Sequence, residues 1–194
     1  MKLKIGIDFD NTLINHEISF YKKIKKKLNL SKINFKNKED LKNLIIKNFN
    51  NKIWTEIQGE VYSSLEFSNP SPFSYKVLSK LKEKHDLFLI SHKTKYPVIG
   101  KKINLHKISK QWLKKYKFAY VKNPLFKKEN IFFEPTISKK ISRIKSKKCD
   151  IYLDDLYKIL KLLPKNIKKI HFTEKKNSKK YQSISSWKNF YEVI

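Results

Sequence analysis

At 194 residues, with 40% hydrophobic and 13% aromatic content, the chain is long enough for one domain with a filled core, or one domain carrying a sizeable insert. A single cysteine, Cys149, excludes an internal disulfide and any Cys-based zinc site, and fits a reducing compartment. The formal charge of +28 draws in anionic partners, but Arg143 is the only arginine, so AT-rich codon usage explains the lysines more readily than evolved readout of nucleic acid, where arginine is preferred. No apolar run approaches membrane-spanning length, and the first residues are too polar for a signal peptide. The expectation is a soluble cytoplasmic protein with no membrane partner.

Lys4 to Ile7 reads as a buried strand, and it runs into Asp8-Phe9-Asp10-Asn11-Thr12. Alternation sends Asp8 and Asp10 to the same side, where the two carboxylates repel unless a cation or shared proton relieves them. From about 15 to 72 the pattern is helical. Ile18, Tyr21, Ile24 and Leu28 form one stripe, and Leu41, Leu44, Ile45 and Phe49 another. Ser31 or Asn37 is placed to cap a helix, and Pro70 and Pro72 end the interval. This predicts a helical insert over the end of the first strand, with residues 1–14 and 73–194 forming the core.

An α/β alternation then resumes. Helices are expected over 75–84, 104–115 and 138–145, with a docked one from Trp187 to Val193. Strands are expected at 86–90, 118–121, 131–133, 150–153 and 169–172. Ser91, His92 and Lys93 follow one strand, and Asp154-Asp155 ends another. In open α/β sheets, ligands bind at these carboxyl ends. Cys149 precedes a buried strand and reads as core.

Taken in order, Asp8 to Thr12, Leu89-Ile90-Ser91, a lysine at 139 or 140 and Leu153-Asp154-Asp155 resemble the motifs of the haloacid dehalogenase-like superfamily of phosphohydrolases, over nearly the whole chain. The resemblance implies a three-layer, Rossmann-like parallel sheet with a small helical cap inserted between the first and second motifs. It implies a phosphatase in which Asp8 is the nucleophile, Asp10 the general acid/base and Lys140 the cation on the transferring group; a dehalogenase is disfavoured by the aspartate at position 10. Asp8, either or both of Asp154 and Asp155, and the main-chain carbonyl of Asp10 would hold Mg²⁺, a hard cation suited to oxygen ligands. Thr12, Ser91, His92 and Lys93 are expected at the substrate, with Lys95 plausible beside them.

Lys140 is preferred over Lys139 because it lies beside the apolar stripe of Ile137, Ile141 and Ile144. In the insert, Trp54, Glu56, Gln58 and Tyr62 are the residues to test, with packing the expected role of Trp54 and Tyr62. The stretch from Ser91 to Pro97 looks like that of bacterial members associated with surface-sugar metabolism, which favours a sugar phosphate over its rival, a nucleoside monophosphate. A nucleic-acid end and a non-catalytic binding role are the remaining alternatives.

Overall fold

The computed structural model describes residues 1–29, 34–35, 38–173 and 180–194. Along the chain run β1 (Lys4–Ile7), β2 (Ile14–Asn15), α1 (Glu17–Leu28), α2 (Lys38–Asn48), α3 (Asn51–Ser64), β3 (Asn69–Pro70), α4 (Ser74–Lys82), β4 (Asp86–His92) and α5 (Leu105–Lys115). They are followed by β5 (Ile131–Glu134), α6 (Ile137–Ser146), β6 (Ile151–Asp154), α7 (Tyr157–Leu162), β7 (Lys168–Phe172), β8 (Gln182–Ile184) and α8 (Trp187–Glu192). Six strands make one parallel sheet in the order β5-β4-β1-β6-β7-β8.

Strand alternation explains the layers. Ile5, Ile7, Leu87, Leu89, Ile151 and Leu153 share a core with Leu78 of α4, Trp112 of α5 and Trp187 of α8. Phe88, Ile90 and Tyr152 face the other way, onto Ile141 and Ile144 of α6 and Ile159 of α7. Gly6 belongs to that second face: a Cβ there would lie 2.6 Å from the Tyr152 ring, so its lack of a side chain admits the tyrosine, whose hydroxyl donates to the Ile90 carbonyl at 2.5 Å.

The registers place the ends of the central strands together. Ile7 lies opposite Leu153 of β6 and Leu89 of β4. One residue further, Asp8 is level with Asp154, and its amide donates to the Leu153 carbonyl at 2.9 Å.

Helices α1 to α3 pack around their own cluster of Phe20, Ile24, Leu41, Ile45, Trp54, Ile57 and Val61. Burial of each such side chain is worth about 1.5–3 kcal/mol against exposure, which supports a local core. The chain enters and leaves this region side by side, because β2 and β3 pair antiparallel with Ile14 opposite Pro70. Gly59 of α3 sits so close to the loop after β4 that a Cβ would meet the Ile99 carbonyl oxygen at 2.5 Å.

Several expectations are corrected. Phe118 to Val121 is not a strand: Lys117 and Tyr120 have φ of 61° and 60°, and Phe118 instead stacks on Trp112 with ring centroids 5.6 Å apart. The run is apolar because Phe118 and Ala119 are buried, not because it is extended. Ile18 is exposed, and Phe20, stacked on Trp54 at 4.9 Å, fills the core in its place. Phe49 lies past the end of α2 and is exposed. β8 is absent from the sequence reading, since Gln182-Ser183-Ile184 offers one apolar residue. Ser31 and Asn37 lie outside the described residues. The caps that the structure shows are Asn50 for α3, Asn104 for α5 and Thr136 for α6. Among the described residues, no helix is long and apolar enough to cross a membrane.

Candidate active site

Two ion-paired centres lie at the carboxyl edge of the sheet, one for each aspartate of the first motif. The first is built on Asp8. Thr136 caps α6, its hydroxyl accepting from the Lys139 amide at 3.2 Å. The helix then carries Lys140 inward, where it is 1% exposed, while Lys139 points to solvent. The Lys140 ammonium donates to Asp8 Oδ1 at 2.6 Å and to Asp154 Oδ2 at 2.7 Å. The other oxygen of Asp154 accepts from the Leu156 amide at 2.8 Å. Asp155 completes the group: one carboxylate oxygen from each of Asp8, Asp154 and Asp155 lies within 4.8 Å of the others.

The electrostatics follow from that crowding. Burial works against the Lys140 ammonium, but Asp154 and Asp8 outweigh it and hold its pKa well above the ordinary value. Burial, aided by the Asp8 charge, pushes the Asp154 carboxyl up to about 6 in spite of Lys140. Burial and the charges of Asp154 and Asp8 raise Asp155 well above the usual carboxylate range. Three carboxyls thus crowd the Lys140 ammonium, and the Lys38 charge also acts on Asp155.

The second centre is built on Asp10. Asn11, in the left-handed region with φ 60°, turns the chain after β1, and the Leu13 and Ile14 amides close the turn onto the Phe9 carbonyl. The Asp10 carboxylate meets the Lys93 ammonium through both oxygens, at 3.0 and 2.8 Å, and His16 Nε2 at 2.8 Å. The cluster of three carboxylates that could hold an ion, Asp8, Asp154 and Asp155, does not include the Asp10 carboxylate. Burial works to raise the Asp10 pKa, yet Lys93 and His16 together hold it far below the usual range. Burial lowers the pKa of His16, against the pull of Asp10. A neutral ring with a carboxylate on Nε2 must carry its proton there, so Nδ1 accepts from the Ser68 hydroxyl at 2.8 Å. Ser68 in turn lies 2.8 Å from the Ser19 hydroxyl, and all three side chains are buried.

The remaining expected residues have defined places. Ser91 is buried near the end of β4, the strand beside β1. Lys93 is 3% exposed, its ammonium 4.4 Å from the centre of the Tyr62 ring. The His92 side chain is exposed, with Nε2 3.2 Å from the Pro135 carbonyl, and burial of its inner edge lowers its pKa. Thr12 is fully buried; its carbonyl accepts from the Ser71 hydroxyl at 2.7 Å and the Trp187 indole at 3.0 Å. Trp54 packs inside the helical region, and Glu56 pairs with Lys27 at 3.2 Å. Gln58 donates to the Tyr62 hydroxyl at 3.3 Å. Lys95 is exposed. Cys149 is buried against Gly6, and burial pushes its thiol up to about 12.

Sequence reasoning missed His16, Ser68 and Lys38. Lys38, on α2, feels the charges of Asp155, Asp10 and Asp8, although burial lowers its pKa. The available signal for His16 was a histidine six residues past Asp10 at the start of an amphipathic helix, a pattern that core histidines share.

No family model matches the chain, and no curated protein matches it. Solved structures do. A "predicted phosphatase" from Clostridium acetobutylicum matches with TM-score 0.61 and 19% identity, over 100% of this chain and 98% of that one. A hydrolase of the haloacid dehalogenase-like class from Bacillus subtilis, bound to magnesium, matches with TM-score 0.57 and 11% identity, over 99% and 98%. An archaeal beta-phosphoglucomutase from a Pyrococcus strain matches with TM-score 0.51 and 13% identity, over 96% and 93%. The fold of this chain is haloacid dehalogenase-like.

Proposed function

We propose that the chain is a Mg²⁺-dependent phosphatase that hydrolyses a small phosphomonoester through an aspartyl-phosphate on Asp8. The observation that carries this reading is the Lys140 ammonium set between Asp8 and Asp154, with Asp155 beside them, at the carboxyl ends of adjacent parallel strands. Three hard oxygen donors crowded around one lysine fit a small divalent cation. The ligands would be Asp8, Asp154, Asp155 and the Asp10 carbonyl, and the bound ion would screen nucleophile from phosphate and polarise the phosphoryl group.

An Asp8 oxygen attacks phosphorus, and the bond from phosphorus to the leaving oxygen breaks. Asp10 gives the leaving alkoxide its proton, and then takes one from the water that displaces phosphate from Asp8. Paired with Lys93, Asp10 rests as the carboxylate; as the substrate's phosphate draws Lys93 away it takes a proton from solvent, gives that proton to the leaving oxygen, and is again the carboxylate that the second step needs. Lys140 balances charge on Asp8 and on the transferring group. Ser91, His92, Lys93 and the loop held by Thr12 form the phosphate-facing side, and residues 15–72 act as a cap that excludes water.

A sugar phosphate is the favoured substrate, on the likeness of Ser91 to Pro97 to sugar-associated bacterial members; the fold shared with a beta-phosphoglucomutase supports it. The test is phosphate release from a generic aryl phosphate with Mg²⁺, followed by a panel of sugar phosphates and nucleotides. Release that needs Mg²⁺ and vanishes in Asp8→Asn is expected. Undiminished release by that variant removes the mechanism.

A further inference from the structure

The lysines are spread along the whole chain, but the acids are not. Between Asp86 and Glu129 stand twelve lysines and no acidic residue, although the chain has seventeen acids in all. A lysine-rich codon bias adds lysines; it does not clear carboxylates from one stretch. This stretch supplies the loop after β4, the whole of α5 and the loop behind it.

There the fold makes a groove of about 570 Å³. Lys107, Lys110, Gln111 and Lys114 recur at helical spacing along one exposed face of α5 and form one wall. Lys95 lines it from the loop after β4, and Tyr120 offers an aromatic ring from the left-handed turn that replaces the expected strand. No acidic residue lines the groove, and none of the ion pairs among the described residues involves these four lysines. The walls are tied together: the Leu105 amide donates to the Lys95 carbonyl at 2.9 Å, and His106 Nε2 lies 2.8 Å from the Lys93 carbonyl.

We propose that this groove binds the phosphodiester backbone of a single-stranded nucleic acid. Ammonium groups in a row match a row of phosphates, and an aromatic face accepts any base by stacking. Lysine without arginine presents point charges and no bidentate fork for base edges, so the binding is independent of sequence. A concave, lysine-walled channel admits a strand and keeps a flat bilayer out. The proposal does not rest on the hydrolase reading, because binding is measured on a strand with no terminal phosphate to remove.

The probe is a fluorescein-labelled oligothymidylate of fifteen nucleotides lacking terminal phosphates, titrated with the full chain by fluorescence anisotropy at 50 to 200 mM salt. Binding is expected to weaken with salt, with log K falling by about 0.7 per lysine engaged for each unit of log salt. The triple variant Lys107→Glu, Lys110→Glu, Lys114→Glu should lose at least about tenfold in affinity and show a shallower salt slope. A control triple of equal charge change on the opposite layer, Lys145→Glu, Lys161→Glu, Lys165→Glu, should lose less than about threefold. Equal losses from the two triples would make the attraction a matter of net charge and overturn the groove. So would wild-type protein that does not bind the oligonucleotide, or that binds phosphatidylserine vesicles more tightly than the strand. Should the groove triple fail to fold, Lys110→Gln alone must still reduce the slope, and an unchanged slope overturns the proposal.

Discussion

Asp8 and Asp10 stand two residues apart, each held by a buried lysine, yet their surroundings differ in kind. Asp8 shares Lys140 with Asp154 and has Asp155 close by, so three carboxyls crowd one ammonium. Asp10 shares its paired lysine, Lys93, with no other carboxylate among the ion pairs of the described residues, and has a histidine of lowered pKa beside it. The lesson is that two carboxylates on one short motif can be set to different charge states by what the fold brings against them.

The largest test is chemical. On the proposed mechanism, Asp8→Asn should lower Mg²⁺-dependent phosphate release by at least about 10³-fold, because the proposed nucleophile is gone, while leaving the protein folded by circular dichroism.

Removing each lysine in turn sharpens the contrast. Lys140→Met and Lys93→Met should each cost about 3–5 kcal/mol in metal-free buffer, because each strands a buried carboxylate. Added Mg²⁺ should recover much of the loss in Lys140→Met and almost none in Lys93→Met, read as melting temperature against Mg²⁺ concentration. Equal recovery in both would erase the distinction.

The pH slopes should also oppose each other in EDTA. The carboxyls of Asp154 and Asp155 are raised when folded, so the folded state holds protons that the unfolded chain has released; their contribution falls as pH rises from about 4 through the Asp154 value of about 6. His16 is lowered when folded, so its contribution is present above its ordinary pKa of about 6.5 and is lost as pH falls toward the folded value. His16→Gln should therefore lose less melting temperature than the wild type between pH 7 and pH 5, and Asp155→Asn should lose more. The smallest effect is at the cap: Thr136→Ala should cost about 1 kcal/mol and lower turnover modestly, through looser placement of Lys140.

The first centre was legible in the sequence because its parts are strand ends and a helix start, where local pattern fixes position. Asp8, Lys140 and Asp154 each follow an apolar run or flank a stripe, and the parallel registers bring them together. The choice of Lys140 over Lys139 also rested on that stripe. The second centre was not legible. His16 and Ser68 are fifty-two residues apart and meet only because β2 and β3 pair, and two-residue strands leave no periodicity to read. Phe118 to Val121 misled for a related reason: apolar content reports burial, while the two left-handed residues that break extension are a lysine and a tyrosine, which advertise nothing of the kind. The acid-free stretch from 87 to 128 lay in plain view, but it acquired meaning only once α5 lined up its lysines on one wall.

The paired crossing of β2 and β3 has an evolutionary corollary. Because Asn15 lies opposite Asn69, the helical lobe is a detour that begins and ends at one spot. A two-residue hairpin turn spans such a gap. The lobe is nonetheless tied into the site, because His16 and Tyr62 lie within it and touch Asp10 and Lys93, so any lobe put in its place has to bring new partners for that pair.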